Sequence, residues 1–206
     1  PSTEVKPADP LPYESNETTH FSVVDKDGNA VSNTYTLNFS YGAGITADGT
    51  GVLLNNELDD FSAKPGAPNA YGLIGGTANA VESGKRPLSS MSPTLVFKDG
   101  DFFMATGSPG GSRIITTTLQ IILNVVDHQM NIAEATAHPR IHNQWFPDEI
   151  RVEEGLSPDT IKLLEARGHE VNIKNAMGST QSIMIVDGML AGSSDPRRAG
   201  ALTAGY

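Results

Sequence analysis

The stretch Glu14-Ser15-Asn16-Glu17-Thr18-Thr19-His20-Phe21-Ser22-Val23-Val24-Asp25 divides the chain into two unlike parts. Residues 1–17 contain four prolines and almost no apolar side chains, so we interpret them as an extended tail or linker. An ordinary frayed terminus would have the same composition. Immediately after this tail, a β-rich run begins abruptly with two hydroxyl side chains, Thr18 and Thr19.

A threonine at such a boundary has a specific chemical use. Its hydroxyl can attack the carbonyl of the preceding residue and cut the chain there. Thr18 would then carry a free α-amino group, whose ordinary pKa lies near ~7.7–8.0. That amine can serve as the general base for the hydroxyl of the same residue. The stretch therefore predicts that Thr18 is a self-activated nucleophile and that the remaining segments form its pocket.

The composition limits the possible classes of protein. A length of 206 residues suits one domain or one large piece of a larger one. The net charge of −10 argues against a nucleic-acid or anionic-membrane surface. The absence of cysteine excludes disulfides and thiolate chemistry, and no apolar run is long enough to cross a membrane. Because the chain begins at Pro1, we expect the gene product to extend upstream, with any targeting signal there.

The first predicted element after the boundary is a β-hairpin. Two β-rich runs, Phe21–Asp25 and 30–37, flank the turn sequence Lys26-Asp27-Gly28-Asn29. Because side chains alternate along a strand, one face of the second run would be polar. The members of that face are Ser32, Thr34, Thr36 and Asn38. A hairpin would place Thr36 and Asn38 beside Thr18, although a solvated polar face would give the same pattern.

The middle of the chain contains a polar cluster and a long loop. Val52–Leu54 is interpreted as a short buried strand, and it leads into a segment with the carboxylates Glu57, Asp59 and Asp60. These carboxylates could bind a substrate ammonium group or could simply be solvated. The segment 61–86, rich in glycine and proline, is long enough for a functional lid, with Tyr71 as its aromatic residue.

A second predicted hairpin leads into a glycine turn. Its strands are Thr94–Lys98 and Asp101–Thr106, followed by Gly107–Arg113 and a helix to about Asp127. A glycine turn between a strand and a helix points backbone N–H groups outward, which suits an anion or a developing oxyanion. A plain tight turn is the alternative. The helix is apolar nearly all round, so we expect it to be buried between layers.

The C-terminal half is predicted to alternate helices and strands. Asn131 and Glu134 form a capping-box pattern before a short helix, and Ser157-Pro158-Asp159 opens another, with Ser157 as its cap and Pro158 in its first turn. Strands are expected around Ile150–Val152 and over three later segments: 170–174, 181–186 and 189–191. Pro139 lies between His138 and His142 and breaks the helix that a zinc motif needs, so no metal site and no cofactor are expected.

Seven sequence motifs, in the same order, resemble the small subunit of bacterial γ-glutamyltranspeptidases. They lie at residues 18–25, 34–38, 54–61, 86–93, 107–113, 177–182 and 194–197. The resemblance covers the whole chain and implies an α+β fold, the four-layer αββα sandwich of the N-terminal nucleophile hydrolases. It implies cleavage between Glu17 and Thr18, with residues 1–17 as the tail of the large subunit and 18–206 as the catalytic small subunit.

The resemblance also implies a reaction and a set of residue roles. Thr18 would attack the γ-glutamyl amide of glutathione, and water or an amino acid or peptide would take the γ-glutamyl group from the enzyme. The implied catalytic set is Thr18, Thr36, Gly110 and Gly111, in which Thr36 holds the nucleophile and the two glycines form the oxyanion hole. The implied substrate-binding set is Asn38, Glu57, Asp60, Ser89, Ser90 and Tyr71, in which Tyr71 closes over the pocket.

The resemblance further implies a partner and a compartment. The large subunit of the same precursor would supply an arginine that holds the substrate α-carboxylate, and the family suggests a periplasmic or secreted enzyme. Two other readings stay open: a relative of cephalosporin or glutaryl acylases with the same nucleophile, and a catalytically silent relative.

Overall fold

The structure, a computed structural model, describes residues 18–69 and 72–205. Predictions that concern the tail 1–17, including Glu17, and those for Tyr71 lie outside the described residues. The strands are β1 (Thr19–Val24), β2 (Ala30–Tyr35), β3 (Thr94–Lys98), β4 (Asp101–Thr106), β5 (Ile141–His142), β6 (Ile150–Glu153), β7 (Val171–Lys174), β8 (Gln181–Val186) and β9 (Met189–Ser194). The helices are α1 (Ile114–Val126), α2 (Ile132–Ala137) and α3 (Pro158–Glu165), with 3-10 turns at Glu57–Asp60, Thr77–Asn79 and Gly111–Arg113.

Both predicted hairpins are present. β1 and β2 pair antiparallel with Thr19 opposite Tyr35, and β3 and β4 pair antiparallel with a register shift after Val96. β2 ends at Tyr35, two residues earlier than predicted. Asn38 has a positive φ of 72°, a conformation that asparagine tolerates better than most residues, so the chain turns away there.

The largest sheet has the strand order β3-β4-β8-β9, and helices α1 and α2 cover one of its faces. The core between helices and sheet consists of Met104, Ile121, Val125, Ile132, Ala135 and Met184. Removing this apolar surface from water stabilises the contact by roughly 25 cal/mol per Å². The predicted capping box of α2 is confirmed, since Asn131 accepts from the Glu134 amide and Glu134 from the Asn131 amide.

The β1–β2 hairpin lies on the opposite face of this sheet and uses its polar side for the contact. Ser22 Oγ donates to the Gln181 carbonyl oxygen and Ser32 Oγ to the Thr106 carbonyl oxygen, both at 2.9 Å. The His20 ring fills the space where a side chain at Gly107 would lie. The solvated alternative for this polar face is therefore wrong: Ser32 bonds a backbone carbonyl of the sheet, Thr34 bonds the His20 ring and Thr36 bonds the Thr18 hydroxyl.

The described residues thus form three layers: α1 and α2, the four-stranded sheet, and the β1–β2 hairpin. The α+β prediction is confirmed. The outer face of the hairpin carries four apolar side chains that are between 42% and 59% exposed: Phe21, Val23, Val31 and Tyr35. A separate three-stranded sheet, β5-β6-β7, pairs β6 and β7 in parallel through the α3 crossover.

Three local predictions are wrong. Val52–Leu54 is not a buried strand; Leu53 forms one isolated bridge with Thr46, and the segment is exposed. Helix α1 is buried on one side only: Ile115, Leu119, Leu123 and Val126 on its other side stay substantially exposed within the described residues. Ser157 precedes α3 without a side-chain capping hydrogen bond. The start of this helix is instead favoured by Pro158, whose fixed φ suits the first helical turn.

A buried ionic cluster links the four-stranded sheet to the three-stranded sheet β5-β6-β7. No sequence pattern predicted it. It consists of Arg140, Glu153, Asp195 and Arg197. Arg140 Nη2 lies 2.6 Å from Asp195 Oδ2, and Arg197 Nη2 lies 2.8 Å from Glu153 Oε2. Glu153 also accepts from the backbone amides of Arg140 and Met177.

None of the helices in residues 18–69 and 72–205 has the length and apolar character that a membrane span requires.

Candidate active site

Thr18 and Thr36 are brought together by the register of the first hairpin. Because Thr19 pairs with Tyr35, the residues just outside the ladder are neighbours. The Thr18 hydroxyl donates to Thr36 Oγ1 at 3.0 Å, and the side chain is only 5% exposed. Arg198 Nη1 donates to the Thr18 carbonyl oxygen at 3.1 Å. The hydroxyl of Thr18 is therefore held from the end of β2, and its backbone is held by Arg198 of the C-terminal segment.

Asn38 supports this arrangement through its turned backbone. Its amide N–H donates to Thr36 Oγ1 at 2.8 Å, and its Nδ2 donates to the Asn56 carbonyl oxygen at 3.2 Å. The Asn56 side chain in turn accepts from the Phe39 amide. These bonds tie the end of β2 to the segment that leads into the 3-10 turn Glu57–Asp60.

One cavity of about 1710 Å³ collects most of the predicted site residues. Those that line it are Thr18, Thr36, Asn38, Glu57, Asp60, Ser89, Ser90 and Gly111. Gly110 is not among the lining residues but immediately precedes Gly111. Glu17 and Tyr71 lie outside the described residues. Residues as distant in sequence as Thr18 and Gly111 thus line the same cavity.

The glycine turn before α1 has a backbone that only glycine adopts readily. Gly110 has φ 134° and Gly111 has φ 57°, both in the region that side chains rarely allow. A Cβ on Gly110 would lie 3.5 Å from the Gly178 Cα, so two glycines approach closely here. On the same side, the Ser179 amide donates to Ser108 Oγ at 2.9 Å. The turn is therefore held against the Gly178 loop.

Two carboxyl groups of the cavity wall share one turn of 3-10 helix. Burial and the adjacent Asp60 raise the pKa of Glu57 to about 7. Burial also raises the pKa of Asp60, although its hydrogen bond with Glu57 opposes that effect. Glu57 Oε1 is buried without a hydrogen-bond partner within the described residues. Desolvated, closely spaced carboxylates favour a bound cation such as an ammonium group.

Sequence reasoning did not single out a group of polar side chains on the same cavity wall. Ser112, His142 and Gln144 line it, and Ser112 Oγ donates to Gln144 Oε1 at 2.8 Å. They are separated by some thirty residues in sequence, and no local pattern marks them as neighbours. Among the residues that the structure describes, no three metal-ligating side chains lie close enough to hold an ion.

Comparison with known proteins identifies relatives of this chain. A family model described as gamma-glutamyltranspeptidase matches residues 2–205. The chain is 66% identical over 207 residues to the glutathione hydrolase proenzyme of Escherichia coli (strain K12) and 51% identical over 216 residues to that of Pseudomonas sp. (strain A14). All of this chain is covered in both comparisons. It spans only 36% and 37%, respectively, of those two proteins.

Solved structures agree with these matches. A crystal structure of a mutant γ-glutamyltranspeptidase of Helicobacter pylori matches 87% of this chain and all of its own, with a TM-score of 0.85 and 55% identity. The γ-glutamyltranspeptidase of Pseudomonas nitroreducens, complexed with L-DON, matches 92% of this chain and all of its own, with a TM-score of 0.85 and 46% identity. Since the family model covers nearly the whole chain, the chain belongs to the γ-glutamyltranspeptidase family.

Proposed function

We propose that the protein containing this chain is a self-processing hydrolase and transferase of γ-glutamyl amides such as glutathione. The observation that carries the proposal is the Thr18–Thr36 hydroxyl pair at 3.0 Å, on the wall of the cavity that the Glu57–Asp60 carboxyl groups also line. The names of the relatives, glutathione hydrolase proenzymes, support both the substrate class and the processing.

The first step is cleavage of the chain between Glu17 and Thr18. The Thr18 hydroxyl attacks the Glu17 carbonyl carbon, and the C–N bond between Glu17 and Thr18 breaks, which forms an ester and frees the Thr18 α-amine. Water then hydrolyses the ester to the Glu17 carboxylate and the free Thr18 hydroxyl. Residues 1–17 then form the end of the large subunit, and residues 18–206 form the catalytic small subunit. The new amine accepts the hydroxyl proton of the same residue in each later turnover.

The second step is acyl transfer from the donor. Thr18 Oγ1 attacks the γ-glutamyl carbonyl, and the backbone N–H groups of Gly110 and Gly111 stabilise the oxyanion. The C–N bond of the amide breaks, the amine leaves with a proton from the Thr18 ammonium, and a γ-glutamyl ester remains on Thr18. Water or the amine of an amino acid or peptide then releases the γ-glutamyl group.

The substrate's α-amino and α-carboxylate groups require opposite charges in the pocket. Asn38, Glu57 and Asp60 would hold the α-ammonium, and the hydroxyls of Ser89 and Ser90 would donate to the α-carboxylate. Tyr71 would close over the pocket. A cavity of about 1710 Å³ exceeds the roughly 300–1,000 Å³ usual for small-molecule sites, which leaves room for an acceptor or for partner side chains.

The partner in this proposal is the large subunit of the same precursor. The curated relatives are nearly three times as long as the part that this chain matches, as the 36% and 37% coverage shows. The large subunit would supply an arginine for the α-carboxylate and would cover the exposed apolar face of the β1–β2 hairpin. By family likeness, we place the enzyme in the periplasm or outside the cell.

The test replaces Thr18 in the whole protein. We expect Thr18→Ala to abolish both chain cleavage and release of p-nitroaniline from γ-glutamyl-p-nitroanilide, while Thr18→Ser keeps measurable amounts of both. N-terminal sequencing of the parent should read Thr-Thr-His-Phe. A Thr18→Ala protein that is still cut, or a parent that acts on glutaryl amides but not on γ-glutamyl amides, would contradict the proposal.

A further inference from the structure

Three polar contacts join two segments of the chain. One segment is α1 with the 3-10 turn before it, and the other is β5 with residues 143 and 144 after it. We call this set the α1–β5 ladder, and its pairs are Ser112–Gln144, Thr116–His142 and Gln120–Ile141. The helix-side members are four residues apart, so they lie along one face of the helix. Gln120 Oε1 accepts from the Ile141 amide at 2.9 Å, and its Nε2 donates to the Ile141 carbonyl oxygen at 2.8 Å.

The hydrogen bonds of the first two pairs have a fixed direction. Gln144 Oε1 can only accept, and it lies 2.8 Å from Ser112 Oγ and 2.9 Å from His142 Nε2. His142 Nε2 must therefore carry a proton. In the neutral ring Nδ1 accepts from the Thr116 hydroxyl at 2.8 Å, so the single proton of that hydroxyl is shared with or withdrawn from the Arg113 carbonyl oxygen, which lies 3.2 Å away. Gln144 Nε2 faces the other way and donates to the Phe146 carbonyl oxygen. A flipped amide would place Gln144 Oε1 against the Phe146 carbonyl oxygen, two groups that only accept, so its orientation is determined.

The ladder ends at the glycine turn. Ser112 directly follows Gly110 and Gly111, neither of which has a side chain to anchor the backbone. Glycine loses the most conformational freedom on folding, so such a turn needs external contacts to hold one conformation. The Gly178 loop packs against Gly110 on one side. On the other side the turn is tied by Ser112, whose hydroxyl donates to Gln144, and Gln144 in turn accepts from His142.

We infer that Gln144 and His142 are positioning residues that act through Ser112 to aim the Gly110–Gly111 amides into the cavity. The inference rests on the proposed function, in which those amides stabilise the oxyanion. Hydrogen-bond donors must lie 2.7–3.1 Å from the position that the oxyanion takes, and loss of one such donor costs roughly 10²–10³ in kcat. A loosened turn keeps both donors but misplaces them, so its effect should be smaller and should fall on kcat.

The test compares variants of the whole, processed protein with γ-glutamyl-p-nitroanilide as donor. Turnover is normalised to active sites titrated with a covalent glutamine-analogue inhibitor. We expect Gln144→Met, which keeps the side-chain size, and Ser112→Ala each to lower kcat about tenfold to a hundredfold with KM within about threefold of the parent. Ser112→Thr retains the hydroxyl and should keep most of the parent kcat. The double variant should lose little more than either single variant.

Gln120→Met is the matched control. It removes hydrogen bonds of the same ladder two helical turns from Ser112, so it should lower the melting temperature while kcat stays within about threefold of the parent. An equal loss of kcat in Gln120→Met, a parent-like kcat in Gln144→Met and Ser112→Ala, or a Ser112→Thr variant as slow as Ser112→Ala would each overturn the inference. A parent without γ-glutamyl activity, or an active Thr18→Ala variant, would instead overturn the proposed function.

Discussion

The hydroxyl oxygen of Thr36 accepts two hydrogen bonds, one from the Thr18 hydroxyl and one from the Asn38 amide. A neutral hydroxyl is a very weak base, and one that already accepts twice has little capacity to take a proton. Thr36 therefore orients the Thr18 hydroxyl and does not deprotonate it. Under the proposed mechanism the base has to be the α-amine that cleavage creates, which explains why processing and turnover would depend on the same residue.

Under the proposed function, the carboxyl pair of Glu57 and Asp60 should make donor binding depend on pH. Burial, with Asp60 nearby, raises the pKa of Glu57 to about 7, so the pair gains a proton as the pH falls through neutrality. A protonated pair attracts the substrate ammonium less. We therefore predict that KM for γ-glutamyl-p-nitroanilide rises several-fold between pH 8 and pH 6, by at most about tenfold for each pH unit below the pKa.

Glu57→Gln provides the comparison for this prediction. The amide keeps the size and the oxygen acceptor of Glu57 but does not titrate, so its KM should change little over the same pH range. Steady-state kinetics of both proteins in the same buffers separate this effect from ionisation of the substrate amine, which is common to both. Parallel KM curves for parent and variant would show that the pair does not control binding.

At the scale of elements, local sequence signals were sufficient for the hairpins and the short helix. Asp27-Gly28 and Asp99-Gly100 specify tight turns between β-rich runs, and both turns lie where they were predicted. The Asn131–Glu134 capping box also depends on residues three apart. These signals act over a few residues, and the hydrogen bonds that they set up form within the same segment. The local sequence was therefore sufficient to locate these turns and this helix start.

The parts that sequence reasoning missed depend on contacts between distant segments. Arg140 meets Asp195 across 55 residues of chain, and Ser112 meets Gln144 across 32. Nothing in the neighbourhood of Asp195 indicates a buried carboxylate. Strand alternation put Thr36 and Asn38 beside Thr18, but Glu57, Asp60, Ser89 and Ser90 were placed in the site by likeness to known motifs, because a hydroxyl or carboxyl group on a loop is usually solvated. The burial of α1 was overestimated for a related reason. An apolar helix surface shows that the helix packs against something, but not whether the packing partner belongs to the same chain.

We predict that removing the buried carboxylate of the ionic cluster lowers the free energy of unfolding far more than removing an exposed carboxylate. Burial would raise the pKa of Asp195, but the charge of Arg140 outweighs it and holds the pKa below its usual range. Asp195→Ala leaves Arg140, a buried cation, without its partner. We expect a loss of about 3–5 kcal/mol in the free energy of unfolding, measured with urea on the whole protein.

Asp159→Ala is the control for this measurement. Asp159 lies 3.7 Å from Lys162 on the surface of α3, with both side chains largely exposed. Exposed pairs contribute little to stability, so the urea midpoint should hardly move. If the midpoint of Asp195→Ala also stayed near that of the parent, the cluster would not stabilise the link between the two sheets.

At the scale of the whole molecule, two separate apolar faces are left uncovered by the described residues. One is the outer face of the β1–β2 hairpin, where Phe21 and Tyr35 form an edge-to-face ring pair with centroids 6.4 Å apart. The other is the outer stripe of α1, formed by Ile115, Leu119, Leu123 and Val126, which are between 38% and 53% exposed. Contiguous apolar faces of this kind are typical of protein–protein interfaces. They lie on the two outer layers of the fold, which is where a further helical layer would pack.

The proposed large subunit accounts for the hairpin face, and a charge placed there tests this. Tyr35→Asp removes the ring contact and puts a carboxylate at the Thr19–Tyr35 end of the face, where burial against a partner would be costly. We predict that the processed Tyr35→Asp protein loses its large subunit on size-exclusion chromatography at micromolar concentration, whereas the parent elutes with both subunits together. Leu163→Asp is the matched control, because Leu163 is equally exposed but stands alone on α3, and both subunits should stay together. Because the substrate arginine would leave with the large subunit, Tyr35→Asp should also lose turnover of γ-glutamyl-p-nitroanilide. A Tyr35→Asp protein that keeps both subunits and full turnover would place the interface on another face of the molecule.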